Sequence, residues 1–78
     1  SKKEIFKIIA KSLSIPVKKI NEKVSSNNFD EWDSMSHLSI LIALDKKLSG
    51  KVQKIQELSE AYSVKRIIQI LNKNKLFK

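Results

Sequence analysis

The residues best suited to chemistry lie together, in Phe29-Asp30-Glu31-Trp32-Asp33-Ser34-Met35-Ser36-His37-Leu38. This stretch holds three carboxylates, the one indole of the chain, two hydroxyls and its single imidazole. An Asp-Ser-apolar triplet at the start of a helix places a hydroxyl at the helix N-terminus. There, free backbone N–H groups and the helix dipole favour a phosphate-type anion. A phosphodiester on Ser34 would sit in a favourable field. Other chemistries lack their parts. With no cysteine there is no disulfide framework, thiolate metal site or cysteine nucleophile. One histidine does not make a histidine zinc site. The acids Asp30, Glu31 and Asp33 could attract a divalent ion weakly, but no stand-alone metal site is expected. No base–nucleophile pair stands out and the chain is short for a cleft, so no enzyme is expected.

These residues must be positioned by a small set of elements. The chain has 78 residues, is 41% hydrophobic, and contains one Gly and one Pro, which favours helices over a sheet. A single domain over 1–78 is expected. The spacing of Ile5, Phe6, Ile8, Ile9 and Leu13 predicts a helix over about 3–13, stopped before Pro16. Residues 14–33 form a long connection. Val17, Ile20, Val24 and Phe29 are its expected pins, with one helical turn near 17–21 and turn formers at Ser25, Ser26, Asn27 and Asn28. The next helix runs over about 34–48, with Asp33, Ser34 and Ser36 as capping candidates and Ser49-Gly50 as its stop. Its apolar set, Met35, Leu38, Ile40, Leu41, Ile42, Ala43, Leu44 and Leu48, is wider than one face. The helix is therefore expected to be central and packed from more than one side. A short helix near 56–61 follows. Ser63 caps a last helix over about 64–73, buried through Val64, Ile67, Ile68 and Leu71. Residues 74–78 are expected to fray. The fold class is all-α, a bundle of three main helices and a short fourth.

The net charge of +8, from 16 basic against 8 acidic residues, is unevenly spread. Residues 1–23 carry seven lysines and two glutamates; residues 24–45 carry four acids and no basic residue; residues 46–78 carry nine basic residues and two acids. An acidic island thus lies between basic flanks. A basic total suggests nucleic acid or an anionic surface. Against nucleic acid, the basic residues are scattered with little aromatic interleaving, and no nucleic-acid partner is expected. The alternative of a small basic module binding nucleic acid or an anionic surface stays open, the latter through Lys2, Lys3, Lys7 and Lys11 beside Ile5, Phe6 and Ile9. No apolar run approaches a membrane span and no apolar leader segment is seen. A cytoplasmic monomer is the expectation.

The segment Asp33-Ser34-Met35 at the start of the second helix resembles the Asp-Ser-Leu pattern of acyl and peptidyl carrier proteins. The following Leu38, Leu41, Ile42, Ala43, Leu44 and Leu48 fall where that family has core positions. The long first loop and the Ser63-Val64 entrance to the last helix resemble it too, so the likeness extends from about residue 4 to 71. It implies an acyl-carrier-like four-helix bundle with Ser34 as the attachment residue for a 4′-phosphopantetheine arm. A phosphopantetheinyl transferase would add the arm from coenzyme A with a divalent metal, and Asp33 would be recognised by that transferase. The arm's thiol would carry an acyl or aminoacyl group as a thioester to loading and transfer enzymes. Met35, Leu38 and Ile42 are the expected contacts to arm or partner on an exposed helix edge, with Asp30, Glu31, Trp32 and His37 beside them. Fatty-acid carriers place acids along this helix, where the present chain has Ser36, Ser39, Lys46 and Lys47. That points to a specialised carrier, serving secondary metabolism or surface polysaccharide modification, rather than primary fatty-acid synthesis.

Plainer roles stand beside these. Ser34 can be an N-cap, which is compatible with attachment, and Asp33 a cap or dipole partner. Trp32 is expected to pack the loop over the start of the helix. His37 is expected to face solvent on the first helical turn, with a second reading near the arm's phosphate. Met35 and its stripe are read first as core, with an acyl-accommodating cavity as a secondary use of the same residues. The lysines are read as solvated faces.

Overall fold

The structure, a computed structural model, describes residues 2–76. Helix α1 spans Lys2–Leu13 and buries Ile5, Ile9, Ala10 and Leu13 on one stripe. Helix α2 spans Ser34–Lys47 and buries His37, Ile40 and Leu44. Helix α3 spans Val64–Lys73 and buries Val64, Ile67, Ile68, Ile70 and Leu71. The Ser63 hydroxyl accepts the Arg66 N–H at 3.1 Å and so caps α3, as expected. The three helices share one core. The radius of gyration, 11.1 Å, is about that of a compact chain of this length. Among the described residues the fold is all-α: the only extended pairing is an isolated bridge between Ser25 and Ser63.

The short fourth helix lies where it is expected, and it is of the 3-10 type. Residues Gln56–Glu60 form a 3-10 helix, preceded by a 3-10 turn at Val52–Lys54. Val52, Leu58 and Ala61 are buried and Ile55 is half-buried, a spacing of three that matches three residues per turn. So short a segment gains little from an α-helical nucleus.

Of the expected apolar pins of the connection 14–33, Val17 alone fails. Ile20, Val24 and Trp32 are buried and Phe29 is half-buried. Val17 is 46% exposed; it starts the 3-10 turn Val17–Lys19 and anchors nothing. Polar bonds supply the rest. Asn28 accepts the Ser25 N–H at 2.9 Å and donates to the Lys23 carbonyl at 2.9 Å. The Ser26 N–H donates to the Tyr62 carbonyl and the Val64 N–H to the Val24 carbonyl, both at 3.0 Å. The loop is thereby tied to the start of α3.

All three helices end on a left-handed residue that is not glycine: Ser14 (φ 59°), Ser49 (φ 57°) and Lys75 (φ 58°). In each case the next N–H reaches back five residues, from Ile15 to Ala10 at 3.0 Å, Gly50 to Asp45 at 2.9 Å and Leu76 to Leu71 at 2.9 Å. The stop of α2 is therefore Ser49, with Gly50 following at φ 80°. Residues 74–76, expected to fray, form the cap of α3, and Leu76 packs against the core. Residues 77 and 78 of that segment lie outside the described residues.

Helix α2 is packed from more than one side, as expected, by α1 and by the two 3-10 segments, but one face stays open. Ile40 and Leu44 are fully buried, while Met35, Leu38 and Ile42 are 79%, 58% and 51% exposed. Among the described residues no fourth long helix covers that face. The two 3-10 segments shield only its margin.

Candidate functional site

The loop delivers the chain to α2 through Asp33, which has extended backbone angles. Its carboxylate accepts the Ser36 N–H at 2.9 Å and its carbonyl accepts the His37 N–H at 2.9 Å. The Ser36 backbone N–H holds the Asp33 carboxyl below the usual range. The capping residue is therefore Asp33, and neither Ser34 nor Ser36 caps. Ser34 is the first residue inside the helix and is exposed. Among the described residues its hydroxyl takes part in no hydrogen bond. Asp30 and Glu31 are exposed in the preceding turn.

Ser34, Leu38 and Ile42 follow one another at four-residue spacing and share a face of α2. Leu38 begins about 6 Å along the axis from Ser34. Leu38 and Ile42, with Leu41, Val52, Ile55 and Leu58, line an open apolar groove of about 680 Å³ between α2 and the 3-10 segments. Asp45 holds the far wall: its carboxylate accepts the Val52 and Gln53 N–H groups at 3.1 and 3.2 Å and the Gln53 side-chain amide at 2.9 Å. The wall residues were not foreseen as site residues, although Val52, Ile55, Leu58 and Ala61 carry a period of three that marks a 3-10 segment.

Two expected contact residues are elsewhere. Trp32 is buried over the start of α2, as its packing role requires, and so is not on the contact surface. His37, expected in solvent, is 2% exposed. Its ring stacks on Tyr62 with centroids 4.0 Å apart and lies 6.1 Å from the Trp32 ring. The Trp32 Nε1–H donates to His37 Nδ1 at 3.1 Å, and His37 Nε2 lies 2.9 Å from the Leu58 carbonyl oxygen. Both ring nitrogens are committed, so His37 does not face a phosphate at Ser34. Burial pushes its pKa below the ordinary histidine value.

The basic flanks are partly consumed by ion pairs. Lys2 pairs with Glu22, Lys47 with Glu4, and Arg66 and Lys73 with Glu57. These lie at the surface and contribute little stability. Among the described residues no cluster of three or more acids or histidines is arranged to hold a metal ion. None of their helices is long and apolar enough to cross a membrane. Comparison with known protein families, curated proteins and solved structures finds no match for the chain.

Proposed function

We propose that this chain is an acyl or peptidyl carrier, with an acyl-carrier-like bundle and Ser34 as the attachment residue for a 4′-phosphopantetheine arm. The observation that carries the reading is the exposed, uncommitted Ser34 hydroxyl on the first turn of α2, directly after Asp33 and in line with Leu38 and Ile42. The residues present fit the group. A phosphodiester at Ser34 would meet the positive end of the α2 dipole at an exposed residue.

On this reading the Ser34 oxygen bonds to the phosphorus of coenzyme A's pantetheine phosphate. The hydroxyl proton passes to a base of the transferase and the nucleotide part of coenzyme A leaves. The bound arm supplies a terminal thiol that holds cargo as a thioester. The chain's own residues present it. Asp33 fixes the turn and offers a carboxylate to the transferase. Met35, Leu38 and Ile42 form the apolar edge that a partner enzyme covers, with Asp30 and Glu31 beside it. The groove gives an apolar cargo a place out of water. The chain itself makes and breaks no bonds after loading, and it acts as a monomer tethering cargo near a docked enzyme. Its unusual charge favours a specialised pathway over primary fatty-acid synthesis.

Intact mass after incubation with coenzyme A, magnesium and a promiscuous phosphopantetheinyl transferase tests the reading. The expected result is the gain of one phosphopantetheinyl group, absent in Ser34→Ala. A folded chain that gains nothing from a transferase active on a control carrier overturns it. Salt-dependent binding of that chain to DNA or anionic vesicles would then favour the basic-module alternative.

A further inference from the structure

His37 is the one buried polar side chain among the described residues, and neither arm attachment nor partner contact uses it. Its protonation state follows from its partners. The Trp32 indole nitrogen can only donate, so Nδ1 at 3.1 Å carries no proton. The Leu58 carbonyl can only accept, so Nε2 at 2.9 Å carries one. The ring is the neutral Nε2–H tautomer, and both of its bonds depend on that form.

These bonds join three segments. Trp32 belongs to the loop that sets the Asp33–Ser34 turn. His37 lies on α2. Leu58 belongs to the 3-10 helix that walls the groove. Tyr62 closes the stack from the segment leading into α3. A proton on Nδ1 would set its N–H against the indole N–H, donor against donor. The ring would then have to turn or leave, breaking the Trp32 bond and disturbing the Leu58 bond and the Tyr62 stack. Of the titratable groups on the surrounding elements, Tyr62 is in ring contact. Asp30, Glu31 and Asp33 of the loop and Glu60 of the wall are exposed, and Glu57 is engaged by Arg66 and Lys73. None of them forms an ion pair with His37 among the described residues.

We propose that His37 is a positioning residue that couples the Ser34 turn to the groove wall, holding both in one arrangement while neutral and releasing both together when Nδ1 takes a proton. The proposal rests on the carrier reading for the roles of Ser34 and the groove. The coupling itself needs no arm.

The test is a pH titration of the full, unmodified chain from about 8 to 5 by nitrogen NMR. It follows the single histidine ring, the amides of Ser34 and Met35, and the amides of Ser59 and Glu60. The expected result is an Nε2–H tautomer, protonation below the ordinary value of about 6.5, and one shared midpoint for ring and both amide sets. Trp32→Phe keeps an aromatic ring and removes the N–H. It should raise the midpoint by roughly half a pH unit, about threefold in proton affinity, and detach the Ser34 and Met35 amides from the titration. An Nδ1–H tautomer in the unaltered chain, or separate midpoints for the two amide sets, overturns the proposal whether or not the variant folds. A chain that refuses phosphopantetheine yet shows the shared midpoint removes only the carrier reading. A chain that loads but shows separate midpoints removes only the coupling.

Discussion

The Asp33 carboxylate accepts the Ser36 N–H at 2.9 Å, one turn into α2. That bond assigns the capping task to the aspartate and leaves the adjacent serine idle in the fold. The two side chains can therefore be separated by mutation. Ser34→Ala should leave the urea midpoint unchanged and abolish loading. Asp33→Ala should lower the midpoint, since the cap is lost. Asp33→Asn keeps a capping oxygen, and should hold the midpoint near that of the unaltered chain while slowing loading. Equal loss of stability in Ser34→Ala and Asp33→Ala would contradict this division.

Two isoleucines on α2 serve as a second contrast. Ile40 is fully buried and Ile42 is 51% exposed beside the groove. Ile40→Ala should cost about 2–5 kcal/mol in urea denaturation. Ile42→Ala should stay within roughly 0.5 kcal/mol while weakening contact with arm or partner enzyme. Comparable costs at the two sites would mean that the stripe is covered in solution.

The left-handed stop of α2 predicts a gain. Ser49 holds φ 57° with a Cβ that this region disfavours. Ser49→Gly removes that crowding, offset in part by greater freedom of the unfolded chain. A net stabilisation of roughly 0.5–1 kcal/mol is expected in the urea midpoint. Gly50→Ala, at φ 80°, should move the midpoint in the opposite direction although a Cβ there meets nothing within 4 Å.

Acid should weaken the fold in two stages. The folded pKa of His37 is lowered, first by burial, so the unfolded chain binds its proton more tightly. This contribution to stability is complete above about pH 6.5 and is lost as pH falls from there through the folded value. Asp33 is lowered by its Ser36 bond, and Glu4 and Glu57 by Lys47 and Lys73 respectively. The two surface glutamates contribute little, so the second decline is chiefly that of the Asp33 cap, present above about pH 4 and lost as pH falls further. Urea midpoints measured every half unit from pH 8 to 3 should be flat at first and then show both declines. A midpoint constant from pH 7 to 5 would contradict the first.

Much of the architecture could be read from residue spacing. Ile5, Ile9 and Leu13 in α1, and Val64, Ile67, Ile68 and Leu71 in α3, follow the helical period and are buried, and Ser63 caps as its place suggests. Helix α2 is less legible. Its apolar residues surround the axis, and spacing alone does not say which are covered, although Met35, Leu38 and Ile42, expected on an exposed edge, are the exposed ones. The burial of His37 is hidden from the sequence for a related reason. Its partners, Leu58 and Tyr62, are remote in sequence, and only their arrival makes a buried imidazole satisfiable. Asp33, Ser34 and Ser36 were all open as caps because each has a suitable oxygen; the backbone angles at Asp33 decide among them.

The bridge between the loop and the start of α3 has a kinetic consequence. The bonds from Val64 to Val24 and from Ser26 to Tyr62 join parts of the chain that are distant in sequence. Closing so long a span costs chain entropy before any contact repays it. This pairing should therefore form after the local turns of α1, α2 and α3. In native-state hydrogen exchange the Ser26 and Val64 amides should open as a pair, at a lower free energy than the amides of Ile40 and Leu44.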